Sequence, residues 1–326
     1  MGIRSTFGGL KKNKALNAVI LEGFFARLGF GIITFALPFY ALALGMSFTE
    51  VGVLAALRLA GAVMFKPSMG RLADRIGKKR LYLYSIAGRA LVGLLFVFAS
   101  APWMLFAIRF LHGVTTAARD PASAVLIAEL GDDNRMASAF SWYNAAKEAG
   151  AAIGYVCAGF LLTYTQDNYS LVFGISVLTS LVALIFIAAW VHEPPVIPET
   201  AATSTTTDAQ DQHKGALLEI AVLGFFIAAT GGMLTNLFPI IATEYAHLSK
   251  AETSLIFTCS TVFMVAINPA FGWLADHVGR GVVLSVRAIG NAISSVIYLV
   301  FPSFWGFAIA RFADDAGKAA FRPAWG

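Results

Sequence analysis

Apolar residues in this chain run in long blocks broken by short polar punctuation. Ten blocks have the length and texture of helices, at 16–43, 50–69, 81–99, 103–128, 136–164, 169–191, 216–243, 251–272, 281–300 and 303–326. The stretches 171–191, 220–243 and 253–275 contain no charged residue at all. A span of about 20 apolar residues crosses a bilayer as a helix, so the pattern predicts an all-α integral membrane protein. Between the sixth and seventh blocks, residues 194–215 hold three prolines, a Thr/Ser run from Thr203 to Thr207 and scattered charge. Such a segment cannot bury a core and reads as a linker. The expected organisation is a six-helix half over 1–192, a linker over 193–215, and a second half over 216–326 that contains four helices.

The polar punctuation repeats. Gly70-Arg-Leu-Ala-Asp-Arg-Ile-Gly-Lys-Lys-Arg80 follows the second block, and Gly272-Trp-Leu-Ala-Asp-His-Val-Gly-Arg280 follows the eighth, 202 positions later (272 − 70). At the same offset Ser47 meets Ser249, Glu50 meets Glu252, Pro67 meets Pro269, Gly88 meets Gly290 and Trp103 meets Trp305. Arg109-Phe110 likewise meets Arg311-Phe312, and Pro121 meets Pro323. An ungapped match over four helices indicates two pseudo-symmetric halves in the same orientation, an arrangement typical of secondary transporters. Gly326 aligns with Ala124, inside the fourth helix, so the fifth and sixth helices have no counterpart. The expectation from this alignment is an incomplete sequence. The competing reading is a non-transporting remnant kept for a partner interaction.

Composition sharpens the class. Hydrophobic residues make up 58% of the chain and charged ones 13%, well away from the 45–50% and 25% of soluble domains. The net charge of +5 does not point to nucleic acid, because of where it sits. Arg4, Lys11, Lys12 and Lys14 precede the first span, and the first polar loop is basic, whereas turns on the other side carry almost no Lys or Arg except Lys250. That bias places the N-terminus in the cytoplasm; the expected location, the inner membrane of a bacterium, rests on the family resemblance given below. Cys157 and Cys259 both fall in apolar spans, so neither a disulfide nor a metal site is expected. The sequence has no phosphate-binding loop, no His-Glu-x-x-His and no Cys-x-x-Cys. Enzymatic chemistry, cofactors and metals are therefore not expected.

The first loop resembles the conserved loop between helices 2 and 3 of the major facilitator superfamily, with Lys78 where that pattern usually has Arg. Arg109-Phe-Leu-His-Gly113 in helix 4 and Ala36-Leu-Pro-Phe-Tyr40 in helix 1 are also similar to that family. The resemblance implies two six-helix halves, alternating access, a substrate site near the midplane and a monomer. It also implies a link between Arg109 and proton transfer. The glycine-rich motif of helix 5 in drug antiporters is incomplete here, because Tyr155 stands where the motif has proline.

Residues follow from these readings. Gly70, Asp74, Arg75, Gly77, Lys78 and Arg80 form an expected gating loop, and Gly272, Asp276, Gly279 and Arg280 form its second copy. In the second half Asp120 becomes Arg322 while Arg75 becomes His277. Acid and base are lost together, which suggests an Arg75–Asp120 latch in the first half. Charges inside spans are functional candidates: Arg109, Glu22, Arg27, Asp314 and Asp315 are assigned to proton coupling or substrate. Arg58 and Arg89 join Arg27 and Arg109 as candidates for an anionic substrate if they face a cavity. Phe24, Phe25, Trp142 and Tyr143 are candidates for an apolar lining. Gly150, Gly154 and Gly159 are expected to serve close helix packing. The expected function is proton-coupled efflux of a small molecule. The alternative is proton symport that imports an organic acid. Lipid, protons and a small molecule are the expected partners.

Overall fold

A computed structural model describes residues 13–130, 136–191, 232–277 and 280–325. These form ten helical segments and no strand. In the first half they are α1 (Lys14–Ala43), α2 (Phe48–Ile76), α3 (Lys78–Phe98), α4 (Pro102–Leu130), α5 (Met136–Tyr164) and α6 (Tyr169–Trp190). In the second half α7 is described over 232–240 and runs into a π-helical turn, Ile241–Tyr245. It is followed by α8 (Lys250–His277), α9 (Arg280–Val300) and α10 (Phe304–Trp325). The segment expected to be a linker lies outside the described residues. α1, α2, α3, α5, α6 and α8 are each long and apolar enough to cross a membrane.

The repeat is built into the local structure. Ser47 caps α2, accepting from the Glu50 amide at 3.3 Å while the Glu50 carboxylate accepts from the Ser47 amide at 2.7 Å. Ser249 and Glu252 make the same reciprocal pair at the start of α8, at 3.2 and 2.8 Å. α2 packs on α4 as α8 packs on α10, and α3 crosses α4 as α9 crosses α10. Gly88 abuts Thr115 at one crossing, and Gly290 lies by Gly317 at the other, both pairs related by the 202 offset.

The predicted loop at 70–80 is shorter than expected. α2 continues through Gly70 and Asp74 to Ile76, and α3 starts at Lys78. The break is Gly77 alone, with φ +94°, a value that side-chain-bearing residues rarely adopt. Gly70 has open space where a Cβ would lie, so no close helix approach requires a glycine there.

The two ends of the bundle differ. The end that carries Lys14, Gly77 and the C-terminus of α4 is called here the basic end. Toward the opposite end one continuous apolar core links both halves, with Phe35, Tyr155, Phe238, Phe257, Tyr298 and Phe307 among its members. Toward the basic end, among the described residues, the cores separate: one lies wholly within the first half, around Val19, Tyr82, Leu126 and Ile187, and a small one surrounds Ala320. The halves meet chiefly along α5 and α8. Thr258 donates to the Ala152 carbonyl at 2.9 Å, and Lys250 pairs with Asp167 at 2.5 Å.

The α5 glycines sit at these close approaches. A Cβ at Gly150 would lie 2.2 Å from the Phe24 carbonyl oxygen of α1, and one at Gly154 2.3 Å from that of Leu28. A Cβ at Gly159 would overlap Ser254 of α8 at 2.2 Å. Each obstacle at Gly150 and Gly154 is backbone, which cannot swing aside. Gly154→Leu is therefore expected to lose monodisperse protein on size-exclusion chromatography, with a cost of about 1–3 kcal/mol or more from overpacking. Gly174→Leu in α6, where a Cβ meets nothing, is expected to leave the elution profile unchanged.

Candidate functional site

Where the cores part, a cavity opens between the halves. Its inner chamber, about 370 Å³, is lined by Phe30, Arg58, Tyr155, Phe257, Arg311 and Asp315 among others. A second chamber of about 270 Å³ shares Arg27, Phe30, Arg58 and Glu148 with it and reaches Asp120, Asn144 and Lys147 toward the basic end. The Asp120 side chain is 53% exposed there, so the cavity communicates with that end. Ligand pockets run from about 300 to 1,000 Å³, and the inner chamber falls at the small-molecule end of that range.

Two buried ionic networks flank it. In the first half, Glu22 of α1 is fully buried and binds Arg119 of α4 in bidentate fashion, at 3.0 and 2.8 Å. Tyr82 donates to the same carboxylate, and Arg119 reaches Tyr143 at 3.2 Å. Every strong valence of Glu22 is thereby met without water.

In the second half, Asp314 is held by Arg287 at 2.8 Å and by Lys318 at 2.6 Å. Lys318 also binds Asp315 at 2.8 Å and donates to Thr235 at 3.0 Å. Arg311 lies 3.6 Å from Asp314 and 3.5 Å from Asp315, and its guanidinium sits 4.2 Å from the centre of the Phe257 ring. Asp315 lines the inner chamber, whereas Asp314 stands behind it, among the buried side chains. The i, i+4 pairing of Asp314 with Lys318 follows from helical geometry.

Arg109, the repeat mate of Arg311, is buried in a different setting. It borders a small separate recess with Thr34, Leu37 and Asn236 rather than the main cavity, and approaches the His112 ring nitrogen Nδ1 at 3.4 Å. At the offset of 202, His112 and Gly113 occupy the positions of Asp314 and Asp315, so Arg109 lacks the acids that neutralise Arg311.

Other expected site residues are distributed as follows. Arg27, with Arg58 and Arg89, lines the cavity. The Arg75–Asp120 latch is not formed in this structure: Asp120 pairs with Arg119 at 3.8 Å, and Asp74 and Arg75 are both exposed on the last turns of α2. Lys78 instead pairs with Glu129 at 3.0 Å, and Arg80 is exposed. Gly272 and Asp276 fall in α8 and Arg280 opens α9, but their side chains, and Gly279 altogether, lie outside the described residues. The expected aromatic lining is replaced. Phe24 packs edge-on to Phe25, Phe25 stacks on Phe186, and Tyr143 belongs to the Glu22 cluster. The rings that face the cavity are Phe30, Tyr155 and Phe257.

Comparison with known proteins gives the same architecture. Tetracycline resistance protein, class B, from Escherichia coli is 29% identical over 268 residues, 82% of this chain, and the chain covers 58% of that protein's length. Multidrug resistance protein MdtG from Proteus mirabilis (strain HI4320) is 27% identical over 317 residues, 92% of this chain and 77% of that protein. The fold is similar to the crystal structure of nucleoside transporter NupG, with a TM-score of 0.74 at 14% identity, covering 95% of this chain and 80% of that one. The family model described as Major Facilitator Superfamily matches residues 19–217 and 220–326. With α2–α4 repeated as α8–α10 at one offset beside a polar cavity, and that model spanning nearly its whole length, this chain belongs to the Major Facilitator Superfamily.

Proposed function

We propose that the protein is a secondary active transporter that exports a small molecule in exchange for protons by alternating access. The observation that carries this reading is the asymmetry of the bundle: one shared core at one end, and a polar cavity open to the other. A second state with the basic end closed and the opposite end open would complete the cycle. The basic residues around Lys14 and Lys78 favour placing the open end in the cytoplasm. Curated relatives named for tetracycline and multidrug resistance support export over import. The whole transporter's substrates and coupling are part of this proposal.

Asp315 is the carboxylate best placed to carry the coupling proton. It borders the cavity, and its partners Lys318 and Arg311 are also in the lining. Protonating it would leave Asp314 as the remaining carboxylate for both cations, and a substrate entering or leaving the chamber would meet a changed charge. Glu22, closed in by Arg119 and Tyr82, serves the scaffold instead.

Everted membrane vesicles made acidic inside provide the test, with acridine orange reporting the pH gradient. Adding a panel of tetracycline, ethidium and 1-naphthoate is expected to dissipate the gradient with at least one member, in vesicles that contain the protein and not in controls. A gradient unmoved by any of them would overturn the proposal, as would a response that appears only when the interior is made alkaline. Asp315→Asn is expected to abolish that response while leaving protein abundance unchanged. Glu22→Gln is expected to act differently, leaving Arg119 buried without its counter-ion at a cost of about 3–5 kcal/mol. Its signature is loss of folded protein in the membrane. Folded Glu22→Gln that cannot move protons would reverse the two assignments.

A further inference from the structure

The charges around the cavity do not balance. Taken together, the two chambers are lined by eight cationic side chains and three carboxylates, Asp120, Glu148 and Asp315. Some of the cations are neutralised from behind, as Arg119 is by Glu22 and Arg287 by Asp314. Three are not. The guanidinium carbons of Arg27, Arg58 and Arg89 lie 4.6, 5.3 and 5.8 Å from the centre of the single Phe30 ring. They come from three different helices, α1, α2 and α3. Among the described residues no carboxylate comes within 4 Å of any of them. The Nε groups of Arg27 and Arg58 are buried and have no hydrogen-bond partner, and Arg89 has only a 3.4 Å contact to the Ala26 carbonyl.

Three like charges converging in a bundle interior repel one another. The Phe30 face offsets part of that through cation–π attraction, and Glu148 supplies one negative charge in the shared lining. An entering anion would relieve the remainder, and guanidinium groups present planar, forked donors that match a carboxylate. Arg27, Arg58 and Phe30 are shared by both chambers, and the inner one adds an apolar aromatic wall from Tyr155 and Phe257. A simple inorganic anion would leave that wall unused.

We propose that the transported molecule is a small organic anion, a carboxylate on a cyclic apolar body, whose carboxylate docks between Arg27, Arg58 and Arg89 while its ring lies toward Phe30, Tyr155 and Phe257. This rests on reading the cavity as the substrate site. It adds a substrate class that the names of the resistance relatives do not supply.

Equilibrium binding to the purified chain in detergent, followed by tryptophan fluorescence without any pH gradient, tests it. The probes are 1-naphthoate, its uncharged amide 1-naphthamide, the cationic 1-naphthylmethylamine and sodium sulfate. 1-Naphthoate is expected to bind at least about ten-fold more tightly than the other three, a difference typical of losing one good charge-assisted pair. Arg58→Gln is expected to remove that preference. Arg58→Lys should restore part of it, and Arg71→Gln, at an exposed position on α2, should leave it intact. Equal binding of naphthoate and naphthamide, preference for the amine, or sulfate binding as well as naphthoate would each overturn the proposal. So would an Arg58→Gln protein of unchanged melting temperature that keeps the preference. Carboxylate binding without proton-linked transport would reject the transport reading alone. Proton-linked transport of the amine or of tetracycline, with no carboxylate binding, would reject the anion proposal alone.

Discussion

A charge buried between membrane helices has little water to fall back on, so it must find a counter-charge inside the bundle or stay exposed to a cavity. That constraint sorts the ionisable residues of this protein. Glu22 and Arg119 solve it by a closed, bidentate pair reinforced by Tyr82. Arg287, Arg311, Asp314, Asp315 and Lys318 solve it by a network with one more base than acid. Arg27, Arg58 and Arg89 take the other route and line open space. Cations that line the cavity are thus of two kinds, those held by a carboxylate and those with none within reach among the described residues.

The duplication shows how such a separation can arise. Both halves keep the same caps, the same helix crossings and the same arginine at 109 and 311. Around that shared frame the charges have diverged. Arg287 corresponds to Ser85, Asp314 to His112 and Lys318 to Thr116, while Arg58 and Arg89 correspond to Ser260 and Asn291. One half therefore presents a compensated network to the cavity and the other presents free cations. On the proposed reading, a proton acts on the first and an anion on the second.

The membrane class, the helix order, the repeat and the α5 packing face were legible in the sequence because each depends on composition or on spacing within a helix. The Asp314–Lys318 pair was legible for the same reason. The Glu22–Arg119 pair was not, since its members are 97 positions apart and no local pattern joins them. Arg287 has no charged repeat mate to mark it, since the aligned residue is Ser85. Glycine at 70 and the run of charge after it look like a turn in sequence, yet the helix tolerates both up to Gly77. Aromatic residues were the least legible: sequence lists rings, but only packing decides which of them face the cavity, and those are Phe30, Tyr155 and Phe257.

The central claim is that a cation-lined cavity opens between the halves toward the basic end. It is tested most directly by a cysteine at Asn236, which lines the inner chamber, in a background where Cys157 and Cys259 are replaced. The measurement is its rate of modification by membrane-impermeant thiosulfonates of opposite charge, applied to vesicles of either orientation. The account predicts modification from the face that carries Lys14 and Lys78, with the anionic reagent faster than the cationic one. Modification only from the opposite face, or a faster cationic reagent, would contradict it.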